Sequence, residues 1–253
     1  MRRPNELREV AGEAHLRESI EDRRPVFWTR ALGVPAAVYG ERVVVRDGVS
    51  YRRLDAGRTK LGAALARGFE GRLPRDGERW LYLGAASGTT ASHVADLVGP
   101  SGAVFAVEKS VRPFARLLAL AHRYPNLVPI LADARDPRAY LGAVSPVDGI
   151  YADVAQPDQA ELAIDNGRWF LRRDGVALIA LKTASMGRDA TARAHVQRSL
   201  ATFAGVGEPS VPVGLEPFHK GHFFVEVLPT RRWFAEPAGP ASSRVGRRAG
   251  PVR

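Results

Sequence analysis

From Gly77 onward the chain repeats one rhythm: a short apolar run, a glycine-containing loop, then a helical stretch. The apolar runs fall at 80–84, 103–107, 127–131, 149–152 and 176–181, and the helical stretches at 91–98, 111–123, 157–170 and 189–203. The runs are too short for helices and are apolar throughout, as strands covered on both faces must be. Strand and helix in alternation predict an α/β fold built on an open, doubly wound parallel sheet. The rhythm breaks at the end, where 210–215 and 222–228 are strand-like runs joined only by Glu216-Pro217-Phe218-His219-Lys220-Gly221. So short a connection fits a hairpin rather than a crossover, so an antiparallel C-terminal hairpin is expected on the parallel sheet.

The chain before Gly77 is different in kind. Residues 1–25 are charged and read as weakly helical, ending at Arg23-Arg24-Pro25. The run V-Y-G-E-R-V-V-V-R-D-G-V-S-Y, residues 38–51, carries β-branched residues on both sides of Asp47-Gly48, a hairpin signal. Over 59–69, Leu61, Ala64, Leu65 and Phe69 share one helical face. The expected organisation is a small N-terminal β-rich unit over 1–56, the open-sheet domain over 57–228, and a basic tail over 229–253. The tail is rich in Pro, Gly, Ala, Ser and Arg without apolar periodicity, and is expected to be disordered.

Net charge is +10, partly from six arginines after Pro229, and a surplus of cations attracts polyanions such as RNA, DNA or an acidic protein. Only four of the 37 basic residues are lysine (Lys60, Lys109, Lys182 and Lys220). Arginine keeps its proton in a protein, whereas the lysine pKa moves with its surroundings, so a lysine in so arginine-rich a chain marks a place where an ammonium is required, or codon bias with a chance survivor. The absence of cysteine excludes disulfides, thiolate metal sites and a cysteine nucleophile, and no metal site is expected. No window reaches the ~18 consecutive apolar residues of a membrane span, and residues 1–30 lack the pattern of a secretory signal. A soluble, cytoplasmic protein is expected, with no membrane partner.

Residues 82–90, Y-L-G-A-A-S-G-T-T, form the first strand-to-helix loop, where a sheet of this kind brings its backbone nearest a ligand. Gly84, Ala86 and Gly88 leave that backbone nearly bare, although a tight turn alone would ask for the same residues. Neither the dinucleotide fingerprint G-x-G-x-x-G nor the phosphate loop G-x-x-x-x-G-K-[ST] is met. The pattern suits a cofactor without a pyrophosphate, such as S-adenosylmethionine, with Thr89 and Thr90 beside its amino-acid end or capping the next helix. Glu108 ends the second strand, 20 positions after Gly88, the offset at which an acid takes ribose hydroxyls. Asp133 ends the third strand, where it can accept from an adenine amino group, and Asp153 ends the fourth. Lys182 ends the fifth, at the same rim as Asp153, and His222 opens the last strand. A hydroxyl that attacks a methyl sulfonium needs alignment and a way to lose its proton, and a lysine held by an aspartate supplies both.

The stretches Y-L-G-A-A-S-G-T-T-A-S-H-V-A-D-L-V-G-P-S-G-A-V-F-A-V-E, N-L-V-P-I-L-A-D-A, Y-A-D-V-A-Q-P and A-I-D-N resemble fibrillarin, over about 38–228 and in its archaeal form. The resemblance implies an S-adenosylmethionine-dependent methyltransferase, Rossmann-like in fold, that methylates the ribose 2′-hydroxyl of rRNA or tRNA. It implies cofactor contacts at Gly84, Ala85, Thr89, Thr90, Glu108, Lys109, Asp133, Ala134, Asp153, Val154, Ala155 and Gln156. It also implies a catalytic tetrad of Lys60, Asp153, Lys182 and His222. In it Lys182 positions and deprotonates the hydroxyl, Asp153 holds that lysine and the methyl donor, and Lys60 and His222 meet the ribose and phosphate. Implied partners are the box C/D guide RNA and its target rRNA or tRNA, a coiled-coil scaffold protein and a kink-turn-binding ribosomal-type protein. Two loops depart from the family: T-A-S-M-G follows Lys182 where S-R-S-I-D is usual, and E-P-F-H-K-G-H leaves His219 and His222 both available to act. A stand-alone methyltransferase of protein or small molecule would share the loop and the acids, but would need neither the excess cations nor the Lys-Asp-Lys-His rim. A non-catalytic RNA-binding subunit would need no lysine at 182.

Overall fold

The structure is a computed structural model that describes residues 6–33, 37–183 and 189–235. Two sheets organise it. The first is antiparallel throughout, with β1 (Arg8–Val10), β2 (Glu13–Glu21), β3 (Arg24–Arg30), β4 (Val43–Arg46) and β5 (Val49–Arg53) in the order β1-β2-β3-β5-β4. The hairpin about Asp47-Gly48 is as expected, with both residues at positive φ. The helical expectation for residues 1–25 is overturned, since the described part of that segment is strand. Its Glu, Arg, Ala and Leu content favours helix locally, but pairing with β3 overrides propensity. The turn that makes this pairing is Asp22-Arg23, both at positive φ, and an arginine there gives no sequence signal.

The second sheet has the order β11-β13-β10-β9-β6-β7-β8, with β12 also on β13. Strands β6 (Arg79–Leu83), β7 (Ala103–Glu108), β8 (Leu127–Leu131), β9 (Val147–Ala152) and β10 (Leu171–Lys182) run parallel, and β13 (His222–Pro229) pairs antiparallel with β10. Of the run expected as one strand over 210–215 only β12 (Val213–Gly214) is strand, and an unexpected β11 (Gly207–Pro209) precedes it, both on β13. Pro209 and Pro212 have no N–H to donate to a ladder, and the chain leaves the edge between them. Helices α1 (Lys60–Ala66), α2 (Thr89–Val98), α3 (Val111–Ala121), α4 (Gln159–Phe170) and α5 (Asp189–Ala204) complete the fold. Alternate residues of β6 face opposite cores, Trp80 and Tyr82 toward one, Leu81 and Leu83 toward the other. Successive strands run outward from β6 through β7 to β8 on one side, and from β9 to β10 on the other. The reversal lies at β6, which puts the ligand crevice beyond its carboxyl end.

Two further features bear on the site. Arg52 of β5 is fully buried and donates to Glu41 (2.7 Å), Asp96 (2.9 Å) and Ser92 (3.0 Å). Asp96 also accepts from Thr29 of β3 at 2.8 Å, so the first sheet is bonded to α2 immediately behind the 84–88 loop. The ordered chain also continues beyond Pro229, against the expectation of a structureless tail. Arg231–Phe234 forms a 3₁₀ turn whose Trp233 is wholly buried, stacked on Phe203 and seated over Gly167. Residues 236–253, the rest of that tail, lie outside the described residues, and so does most of the T-A-S-M-G loop. Among the described residues no helix is long and apolar enough to cross a membrane.

Candidate active site

The bare loop is bare for reasons internal to the protein as well as for a ligand. Gly84, at φ +80°, lies so close to the next strand's exit that a Cβ there would meet the Asp153 carbonyl oxygen at 2.5 Å. Gly88, at φ +89°, would drive a Cβ into Leu120 of α3 at 2.6 Å. It is Gly88, not a threonine, that occupies the N-cap of α2. Between the two glycines Ala86 takes φ +49° and donates its N–H to Glu108 at 2.9 Å.

Glu108 is nearly buried, and its second oxygen accepts the Ser110 N–H at 2.7 Å. Each carboxylate oxygen keeps an acceptor site beyond these bonds, so the group can still take a pair of hydroxyls. A cleft of about 250 Å³ opens beside it, walled by Gly84, Glu108, Lys109, Asp133, Ala134 and the run from Asp153 to Gln156. At its mouth Lys109 Nζ stands 3.7 Å from Asp133. Three of the expected cofactor residues do not line this cleft. Ala85 is buried with its N–H on the Val107 carbonyl, Thr90 is buried against the Tyr82 phenol, and Thr89 lines a neighbouring groove with Ser87, Arg58 and Arg116. Sequence reasoning missed Arg135, which donates to Gln156 Oε1 at 2.6 Å and to Asp158 at 3.1 Å, and so ties the Asp133 loop to the Gln156 loop. That guanidinium holds the Asp158 carboxyl below its ordinary range.

The four tetrad positions meet at one rim. Lys60 is the first residue of α1, behind the Thr59 cap, and its Nζ lies 2.6 Å from both oxygens of Asp153. Asp153 therefore holds Lys60, not Lys182 as the sequence reading had it. Among the described residues no carboxylate lies within ion-pair distance of Lys182 Nζ, and the Lys182 backbone is held instead by Gln159 of α4. His222 is the register partner of Lys182 across β10 and β13. Its Nδ1 lies 2.9 Å from the Lys220 carbonyl and donates to it, leaving Nε2 with the lone pair in the neutral ring. Burial, and then the nearby Lys60 charge, lower the His222 pKa from 6.5, and the same causes lower that of His219. The two rings are 5.8 Å apart. The cluster thus offers one cation neutralised by a carboxylate, one lysine without such a partner among the described residues, and two histidines whose neutral form is favoured.

The family model for Fibrillarin matches residues 15–230, most of the chain. The chain belongs to the fibrillarin family. It is 40% identical over 213 residues to the fibrillarin-like rRNA/tRNA 2′-O-methyltransferase of Aeropyrum pernix, covering 84% of this chain and 91% of that one. To the protein of the same description from Staphylothermus marinus it is 41% identical over 207 residues, covering 81% and 88%. Among solved structures it resembles the Methanococcus jannaschii fibrillarin pre-rRNA processing protein, with a TM-score of 0.82, 32% identity and coverage of 88% and 97%. It resembles Aeropyrum pernix fibrillarin with natively bound S-adenosylmethionine at a TM-score of 0.78 and 34% identity, covering 90% and 100%. Against fibrillarin in a complex with Nop5p the TM-score is 0.73 at 37% identity, covering 84% and 97%. The fibrillarin fold therefore includes both the mixed sheet with its antiparallel C-terminal strands and the antiparallel N-terminal sheet.

Proposed function

We propose that this fibrillarin is an S-adenosylmethionine-dependent ribose 2′-O-methyltransferase that acts on rRNA and tRNA in the cytoplasm, at nucleotides chosen by a box C/D guide RNA. The observation that carries the reading is the meeting of Lys60, Asp153, Lys182 and His222 beside a cleft that holds Glu108 and Asp133. The relatives' descriptions as rRNA/tRNA 2′-O-methyltransferases and the S-adenosylmethionine in the Aeropyrum pernix structure support it. S-adenosylmethionine, when bound, supplies a methyl group made electrophilic by its sulfonium.

The residues fit such a group. Glu108 would take the ribose hydroxyls and Asp133 the adenine amino group, with Lys109, Ala134 and the run from Asp153 to Gln156 closing around them. Lys182, free of a carboxylate partner among the described residues, would orient the target 2′-hydroxyl and receive its proton in the amine form. Asp153 and Lys60 form a neutralised pair that keeps the rim from repelling either a sulfonium or a phosphate. His222 faces Lys182 in register, which favours it over His219 as the ring that meets the ribose. Partners in the particle would be the guide RNA, a scaffold protein such as the Nop5p of the related complex, and a kink-turn-binding protein. The groove lined by Arg58, Arg116 and Arg123, with no acidic residue on its walls among the described residues, suits the phosphate backbone of such an RNA.

Lys182→Ala is expected to lower methyl transfer by at least ~100-fold while S-adenosylmethionine binding is retained, the size of an acid–base contribution. Single-turnover transfer and cofactor titration measure the two. Unchanged transfer would remove Lys182 from the chemistry.

A further inference from the structure

Gln159, the first residue of α4, is 1% exposed, and its carboxamide meets the backbone of Lys182 and, 3.4 Å from its Nε2, the Nε2 of the buried His195 on α5. Its Oε1 accepts the Lys182 N–H at 3.0 Å, and its Nε2 donates to the Lys182 carbonyl at 3.1 Å. The topology explains why a side chain is needed there. Strand β9 ends at Ala152, opposite Ile179 of β10, so Ala180, Leu181 and Lys182 run on with no strand beside them on that edge. On the other edge β13 continues, pairing Lys182 with His222, and the Thr183 N–H and hydroxyl both donate to the Gly221 carbonyl, at 2.9 and 2.8 Å. Successive residues of a strand present their N–H and C=O to opposite edges. The pair on Lys182 therefore faces the gap beyond β9, and Gln159 supplies both the acceptor and the donor that the missing strand residue would have given. Left unmet, such buried groups cost more than the bonds contribute.

We propose that Gln159 is the positioning residue of the site: its carboxamide sets where Lys182 stands on the rim, and couples Lys182 to the loop that walls the cleft. That loop, from Asp153 to Asp158, joins the end of β9 directly to Gln159. A rearrangement around a bound cofactor thus reaches Lys182 through one side chain. The inference rests on the reading of Lys182 given above.

The test uses the reconstituted particle with guide and target RNA. Gln159→Leu is expected to lower kcat at least about tenfold, since a displacement of the order of 1 Å is enough for a loss of that size, while KM for S-adenosylmethionine and for RNA changes less than about threefold. Gln159→Glu gives a readout that packing alone would not move. A protonated carboxyl reproduces the acceptor and donor that the amide offers Lys182, whereas a carboxylate opposes the Lys182 carbonyl and also faces the titratable ring of His195, so the ratio is measured with His195 present and in the His195→Phe background. The activity of Gln159→Glu relative to the parent enzyme should therefore rise as pH is lowered, and that of Gln159→Leu should stay flat. Unchanged kcat in the leucine variant, or no pH dependence of the ratio for the glutamate variant, would overturn the positioning role. If Lys182→Ala measured alongside is inactive, that failure is confined to Gln159; if it is active, the fault lies with the assignment of Lys182.

Discussion

Asp153 is where one residue's environment governs the behaviour of its neighbours. Both its oxygens face Lys60 Nζ, and both groups act on His222, whose pKa is lowered first by burial and then by the Lys60 charge. A histidine lowered in the fold favours its neutral form there. Its contribution to stability is complete above the unfolded value near 6.5 and is lost as pH falls through that value toward the folded one. Lys60→Met removes the cation and leaves the Asp153 charge unopposed, and both changes act to raise the His222 midpoint. An NMR titration of the His222 ring should show an upward shift in the variant; an unmoved or lowered midpoint would mean that the groups do not share a site. Glu108, Asp133, Asp153, Lys182 and His222 were legible because each lies at the end of an apolar run, and strand ends share a rim whatever the details. The partner of Asp153 was not legible, nor were Gln159 and Arg135. Those depend on the rotation of α1 and α4 about their axes and on side-chain direction, which spacing along a chain does not encode.

At the scale of elements, the parallel strands and their helices were legible within a few residues because apolar runs and amphipathic stretches alternate, except that β10 begins at Leu171, where the exposed Arg172, Arg173 and Asp174 carry no apolar signal. Strands β1 to β3 were hidden for the opposite reason. A segment of Glu, Arg and Ala carries no period of its own, and its hairpin turns on Asp22-Arg23. The turn at Arg231–Phe234 was hidden by its company, since one tryptophan among Pro, Gly and Arg makes no pattern, yet Trp233 fills the space left by Gly167, where a Cβ would lie 2.2 Å from its indole nitrogen. Trp233→Ala should destabilise the protein by about 3–5 kcal/mol, the usual cost of removing a buried aromatic. Chemical denaturation measures it, and a loss below about 1 kcal/mol would mean that the chain past Pro229 is dispensable to the fold.

Taken whole, the molecule sets a rigid rim on a basic body. The Arg52 network fastens the N-terminal sheet to α2, so the loop between β6 and α2 is braced from behind by bonds that bury every partner of that guanidinium. With net charge +10 and an arginine-lined groove next to Thr89, the surface is suited to holding an RNA backbone, and in the function proposed above the choice of nucleotide is left to base pairing with the guide. The most direct test is methyl transfer from labelled S-adenosylmethionine to a target RNA, with and without a matching guide and the partner proteins, mapping ribose 2′-O-methylation along the product. The account predicts label at the guide-paired nucleotide and only in the complete mixture. Label placed by the protein alone, or a complete mixture that leaves the RNA unlabelled, would contradict it.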